Sequence, residues 1–78
     1  MYYVYVLRDP RSKELYYGYT NHLKRRWDEH QAKGHWQLVY YEAYRSEDDA
    51  RAREQHLKHY GQARTHLKKR LKGSLGAN

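Results

Sequence analysis

The sequence predicts an α+β fold, in which a three-stranded antiparallel sheet is flanked by about three helices in the order β-β-α-β-α-α. Tyrosine and β-branched residues concentrate in three runs, Tyr2–Arg8, Glu14–Tyr19 and Trp36–Tyr44, a composition typical of strands. The segments that follow the second and third runs carry helix start and stop signals. A chain of 78 residues has room for one domain with a thin hydrophobic core, and helices covering a small sheet are the economical way to build it.

A β-hairpin is expected between the first two strands. The turn residues Asp9–Ser12 predict a loop of four residues. Such a loop would place Tyr5 opposite Tyr16 and Tyr3 opposite Gly18, so that two tyrosine hydroxyls lie side by side on one face of the hairpin. Gly18 would then leave this face open to the close approach of a ligand or of another backbone segment.

The first helix is predicted from Asn21, a good capping residue, to about Lys33, where Gly34 ends it. Arg26 and His30 are four residues apart, and they lie on the row next to the apolar row that contains Trp27. We therefore expect the side chains of Arg26 and His30 to point inward, beside the apolar side chains.

The second long helix opens at Ser46–Asp49, a capping-box-like sequence with three acids in its first turn. Ala50, Glu54 and Leu57 form its one apolar stripe, so the carboxylate of Glu54 projects from the face that packs. A lone carboxylate in that position is costly unless it is paired or bound to a metal. An ion pair with Arg26 is one explanation, and we expect a metal ligand in preference to it.

A third helix is predicted over about residues 62–72, after Gly61 closes the second. Basic side chains surround its leucines, and this basic face would suit a phosphate backbone. The sequence therefore indicates one domain over residues 1–72, followed by a flexible tail over 73–78. The candidate nucleic-acid-binding residues of the whole chain are Lys24, Arg25, Lys58, Lys68, Lys69 and Arg70.

Composition narrows the classes of partner. Sixteen Lys and Arg against nine Asp and Glu give a net charge of +7, which favours nucleic acid as partner and leaves an anionic membrane surface second. No long apolar run or secretion signal is evident, so we expect no membrane association and a cytoplasmic location. Absent cysteine excludes disulfides and thiolate metal sites. Ten tyrosines without any phenylalanine mean that several hydroxyls must face solvent or a functional site.

One group of side chains has the chemistry needed to cut a phosphodiester. Tyrosine can activate a water, arginine can hold a phosphate, histidine can move a proton and a carboxylate can bind a divalent metal. These groups are supplied on successive elements of the predicted fold by the tyrosines of Tyr3–Tyr5 and Tyr16–Gly18, by Arg26 and His30, and by Glu54. The sequence therefore predicts a small nuclease.

The same residues resemble the signature of the GIY-YIG nuclease domain, in its small stand-alone form. The two name-giving tripeptides correspond to Tyr3–Tyr5 and Tyr16–Gly18, with a tyrosine where the family has its first glycine. The family's helix arginine and histidine match Arg26 and His30, and its metal-binding glutamate matches Glu54. A lysine after the second tripeptide and a C-terminal asparagine, which larger members often have, lack an evident counterpart.

The resemblance implies a metal-dependent endonuclease with one divalent cation, Mg²⁺ or Mn²⁺, held by Glu54, by waters and by a phosphate oxygen. It implies Tyr5 or Tyr16 as the general base, with nearby positive charge to lower a tyrosine pKa that is ordinarily about 10. It also implies Arg26 as the clamp on the scissile phosphate, and His30 as a proton relay or as the group that orients a tyrosine hydroxyl.

The resemblance extends over about residues 2–71, which leaves no room for a separate recognition module. We therefore expect the substrate to be nucleic acid, most of all DNA that is single-stranded or branched rather than a specific duplex sequence. A homodimer or a partner protein is compatible with the sequence. The alternatives are a non-catalytic module that grips nucleic acid through basic and tyrosine surfaces, and a small protein-interaction domain.

Overall fold

The computed structural model describes residues 1–75 and has the predicted order of elements. The first strand is central in the sheet, and the second and third strands flank it and run antiparallel to it. The α+β prediction is therefore confirmed. The elements are β1 Tyr2–Arg8, β2 Leu15–Thr20, α1 Leu23–Lys33, β3 Gln37–Tyr44, α2 Glu47–His59 and α3 Gly61–Arg70.

The two faces of the sheet are covered by different helices. Val4 and Val6 of β1 are fully buried in one apolar cluster with residues of α2 and α3. Tyr5 and Leu7 alternate with them and therefore point to the opposite face, where Tyr5 contacts His30 of α1. The core thus lies between the sheet and the α2/α3 pair. Its buried members are Val4, Val6, Ala50, Leu57, Ala63, Leu67 and Leu71.

The hairpin register differs from the predicted one. Asp9 donates its backbone N–H to the Glu14 carbonyl at 2.9 Å, so the four-residue loop is 10–13 and not 9–12. The Asp9 carboxylate accepts from the Arg11 N–H at 2.8 Å, and Lys13 adopts a left-handed φ of 66°, which together place the turn one residue later. Tyr5 consequently pairs with Gly18, and the predicted pairs of Tyr5 with Tyr16 and of Tyr3 with Gly18 are wrong.

The shift leaves the assignment of faces intact. Leu7 now lies opposite Tyr16, two residues along β1 from Tyr5. Side chains alternate with a period of two, so Tyr5 and Tyr16 still share a face, and their ring centroids are 6.2 Å apart. The space expected to be open beside Gly18 is instead filled by the Tyr5 ring, because a Cβ at this position would overlap the Cζ and hydroxyl oxygen of Tyr5.

The caps of α1 and α2 follow from local hydrogen bonds. His22, and not Asn21, caps α1, since its Nδ1 accepts from the Arg25 N–H at 3.2 Å. The Thr20 hydroxyl accepts from the His22 N–H at 3.0 Å and so fixes the capping residue. At α2 the predicted cap is confirmed, because the Ser46 hydroxyl accepts from the backbone N–H three residues on.

The last two helices meet at a sharp connection. Tyr60 is both the C-cap of α2 and the N-cap of α3. The Arg64 guanidinium donates to the carbonyls of Leu57 and Lys58 at 2.8 Å each, which holds α3 against the end of α2. None of the helices in residues 1–75 is long and apolar enough to cross a membrane.

The domain boundary predicted after residue 72 remains a prediction. Leu75 donates its N–H to the Leu71 carbonyl at 2.8 Å, and its side chain packs against the core. Residues 76–78 of the expected tail lie outside the described residues.

A polar network joins β3 to α2. The side chain of Glu42, only 14% exposed, accepts hydrogen bonds from the hydroxyls of Tyr40 and Tyr44 and from the Arg53 guanidinium at 3.0 Å. Burial acts to raise the pKa of Glu42, but the bonds from Arg53 and the tyrosines outweigh it, so the net pKa is lowered. Burial and the bond to Glu42 raise the pKa of Tyr40 and of Tyr44 to about 12.

We predict that Glu42→Gln lowers the free energy of unfolding at pH 7 by about 1 to 3 kcal/mol, because the substitution removes the charge that holds Arg53. The lowered pKa of Glu42 means that its contribution is present above the unfolded value of 4.5 and is lost as the pH falls. Urea unfolding measured from neutral to acid pH should therefore show the difference between the proteins shrinking. Asp28→Asn, in the exposed pair with Lys24, is the control and should stay near wild type. A difference that does not change with pH would contradict the assignment.

We predict that Gly18→Ala lowers the free energy of unfolding by about 1 to 3 kcal/mol, since the added methyl overlaps the Tyr5 ring. Gly73→Ala is the matched control, because a Cβ there meets nothing within 4 Å. Chemical denaturation of both variants tests the prediction. Equal stability of the two variants would show that Tyr5 does not need the space above Gly18.

Candidate active site

Three aromatic side chains from three elements meet at the candidate site. Tyr5 of β1 is 2% exposed, and its hydroxyl lies 3.2 Å from Nε2 of His30 in α1. Tyr16 of β2 packs beside both, with ring centroids 6.2 Å from Tyr5 and 5.2 Å from His30. Tyr16 is 41% exposed, so the cluster extends from the interior to the surface.

Charges on two helices act on the Tyr5 hydroxyl. Burial is the largest influence and raises the pKa of Tyr5, the neighbouring Tyr16 raises it further, and the Glu54 carboxylate adds to the effect. The Arg26 guanidinium lowers the pKa of Tyr5, as expected, but does not overcome the burial. Tyr5 therefore keeps its proton at neutral pH in the protein alone. Tyr5, Tyr16 and His30 are thus in contact with one another, and the charges of Arg26 and Glu54 act on the Tyr5 hydroxyl.

Arg26 does not point inward as predicted. Its side chain is 44% exposed and pairs with Glu29, three residues on, at 3.4 Å. An acid on the same exposed helical surface and access to water favour this position over the apolar row. The guanidinium therefore lies where a phosphate from solvent could reach it, while its charge still acts on Tyr5.

Glu54 occupies the packing face of α2, as its spacing predicts. Ala50 and Leu57 on the same stripe are fully buried, and the Glu54 side chain is 15% exposed. Its carboxylate pairs with Lys58 at 3.2 Å, one turn along the helix. The alternative of an ion pair with Arg26 is therefore wrong, because a lysine of the same helix takes that place.

The side chains present fit a cation held by few protein ligands. Among residues 1–75 no group of three or more His, Cys, Asp or Glu could by itself hold a metal ion. Mg²⁺ commonly keeps several waters and binds through one or two carboxylates together with substrate phosphates. The single carboxylate of Glu54 beside a surface that phosphate can reach suits that mode of binding.

The candidate nucleic-acid-binding residues all lie on the surface, but their charges are compensated to different degrees. Lys24 pairs with Asp28 at 3.1 Å and Arg25 with Glu29 at 3.9 Å, which partly neutralises α1. The last turn of α3 holds three cations that form no ion pair with any described residue. These are Lys68, Lys69 and Arg70.

Trp36 is a neighbour of the site that sequence reasoning missed. Its ring centroid lies 6.1 Å from that of Tyr16, and its backbone carbonyl accepts from the Gln31 side chain at 3.3 Å. The available signal was the placement of the chain's two tryptophans, one within α1 and the other immediately before β3.

Comparison with known proteins agrees with the geometry. The family model described as the GIY-YIG catalytic domain matches residues 1–68 of the 78-residue chain. The match spans β1 through α2 and most of α3. No curated protein and no solved structure gave a significant match. With nearly the whole chain covered and the strands and helices in the expected order, the protein belongs to the GIY-YIG family of catalytic domains.

Proposed function

We propose that the protein is a metal-dependent nuclease that hydrolyses phosphodiester bonds, most of all in single-stranded or branched DNA. The observation that supports it best is the convergence of Tyr5, Tyr16 and His30 at one place where the charges of Arg26 and Glu54 also act. A stacking platform alone would require neither the carboxylate nor the hydrogen-bonded histidine. The GIY-YIG family, to which the chain belongs, generally consists of endonucleases.

Glu54 would hold Mg²⁺ or Mn²⁺ together with waters and a phosphate oxygen. A divalent cation held there would supply positive charge to stabilise the leaving oxygen. The Lys58 ammonium, which is 41% exposed, would leave Glu54 and contact a phosphate of the bound strand. In the protein alone, Lys58 balances the charge of a carboxylate that is largely removed from water.

Arg26 would bind the scissile phosphate. A guanidinium can donate two parallel hydrogen bonds to phosphate oxygens, and this one is exposed. Its present partner, Glu29, is a surface acid, so exchanging that ion pair for a phosphate costs little. The uncompensated cations at the end of α3, with Lys24 and Arg25, would hold the strand beyond the site.

The general base is one of the two clustered tyrosines. Tyr5 has His30 as a defined partner for its proton, but its raised pKa opposes ionisation in the protein alone. Tyr16 has a more exposed side chain than Tyr5, so its hydroxyl belongs to the residue that solvent reaches more easily. His30 would accept or return the proton, or would orient the Tyr5 hydroxyl.

A non-catalytic nucleic-acid-binding module is the second candidate, favoured by exposed aromatic side chains outside the cluster. Tyr41 is 53% and Tyr60 61% exposed, and both could stack on unpaired bases. Incubation with labelled single-stranded, duplex and branched DNA, in Mg²⁺, Mn²⁺ or chelator, separates the two functions. Metal-dependent cleavage supports the nuclease, and binding without cleavage of any substrate overturns it.

We predict that Glu54→Gln abolishes metal-dependent cleavage and leaves DNA affinity nearly unchanged, because it removes a cation ligand while keeping the shape of the side chain. Stability should fall by less than about 1 kcal/mol, since the ion pair with Lys58 is partly exposed. Glu47→Gln changes an exposed carboxylate on the same helix and is the control. Cleavage by Glu54→Gln at the wild-type rate would contradict the metal assignment.

We predict that Tyr5→Phe and Tyr16→Phe each slow cleavage by about a hundredfold or more, while melting near the wild-type temperature, because only a hydroxyl is lost. Tyr2→Phe and Tyr41→Phe are controls and should cleave normally. Rates measured from neutral to alkaline pH identify the base as the residue whose loss abolishes the rise of rate with pH. Equal losses in all four variants would mean that the hydroxyls serve the fold and not a site.

A further inference from the structure

A shallow groove between α1 and β3 lies next to the tyrosine cluster. It has a volume of about 540 Å³. Both tryptophans of the chain line it, and none of its described lining residues is charged. The residues that matter for its chemistry are Trp27, Gln31, Trp36, Gln37 and Leu38.

The groove continues the aromatic surface of the candidate active site. Trp36 lies 6.1 Å from Tyr16, and Tyr16 in turn lies 5.2 Å from His30, measured between ring centroids. Gln31 of α1 donates to the Trp36 carbonyl at 3.3 Å and so ties the residue before β3 to the helix. For a strand bound at the tyrosine cluster, Trp36 would therefore be the next aromatic surface beside Tyr16.

The lining is suited to bases and not to phosphates. Indole rings offer stacking surface to any nucleobase, and side-chain amides such as that of exposed Gln37 can hydrogen-bond to base edges. Phosphates would instead be drawn to the cations outside the groove, in a chain whose net charge is +7. In a duplex the bases are already stacked on one another, so only a strand with unpaired bases can enter.

We propose that this tryptophan groove binds unpaired bases next to the nucleotide that is cut, and that it gives the protein a preference for single-stranded nucleic acid. The proposal rests on the nuclease function only for the identity of the adjoining site. Base binding in the groove can be measured without any cleavage.

Intrinsic fluorescence tests the proposal directly, because both of the protein's tryptophans line the groove. The wild-type protein in chelator is titrated with a single-stranded oligothymidine, with an oligonucleotide of the same length whose sites are abasic, and with a duplex. Quenching by the oligothymidine that exceeds that by the other two supports the proposal. Equal quenching by the abasic strand would overturn it, since phosphates alone would then account for the signal.

Variants locate the binding site. Trp36→Leu should weaken binding of the single strand about tenfold, measured by anisotropy of a labelled oligonucleotide, and should leave binding of the abasic strand unchanged. Trp36→Phe keeps a ring and should retain most of the affinity, which also separates lost stacking from a failure to fold. Tyr60→Leu removes the exposed ring at the α2–α3 connection that the second candidate function would use, so a larger loss in Trp36→Leu than in Tyr60→Leu supports the groove. Equal losses in Trp36→Leu and Tyr60→Leu would overturn the assignment.

Two further results separate this proposal from the others. Base-dependent quenching in a protein that never cleaves would support base binding in the groove and overturn the nuclease function. Cleavage of single strands and duplexes at equal rates, without base-dependent quenching, would overturn base binding in the groove and support the nuclease function. A change in tryptophan emission with protein concentration in the absence of DNA would show that a second copy covers the groove, and would overturn the proposal.

Discussion

The Tyr5 ring fills the space that a side chain at position 18 would need, and the rest of the site depends on this contact. Because Gly18 has no Cβ, the ring can lie across β2 with its hydroxyl beside His30. One side chain thereby connects β1, β2 and α1. Among the described residues, the contacts of α1 with its neighbours on this face include aromatic contacts and hydrogen bonds that involve His30 and Gln31.

The two faces of the sheet carry different kinds of contact. The face covered by α2 and α3 contains the apolar cluster and the network around Glu42, in which the charged group is satisfied by three neighbouring side chains. The opposite face contains the tyrosine cluster and the tryptophan groove, both partly open to solvent. The aromatic groups of the candidate site are in this way separated from the apolar cluster, whereas Glu54 acts on Tyr5 from the packing face of α2.

The sequence was sufficient for the elements, their order and the faces of the strand side chains and of Glu54, because these follow from periodicities of two and 3.6 residues. It was not sufficient for the hairpin register, which depends on the Asp9 side chain and on a left-handed residue in the loop. The inward position expected for Arg26 was wrong because the prediction followed the row that Arg26 shares with His30 and did not weigh Glu29, the exposed acid three residues on. Trp36 was missed because its neighbours come from elements distant in the sequence.

Arg53 and Glu54 are consecutive residues of α2, but Arg53 belongs to the network around Glu42 and Glu54 belongs to the candidate site. Arg53 is joined to Glu42 of β3 by three hydrogen bonds, so α2 cannot turn about its own axis without breaking them. The direction of the adjacent carboxylate is fixed by the same clamp. The hydrogen bonds that anchor α2 to the sheet therefore also hold the candidate cation ligand in its orientation. The geometry of the site thus depends on a contact that lies outside it.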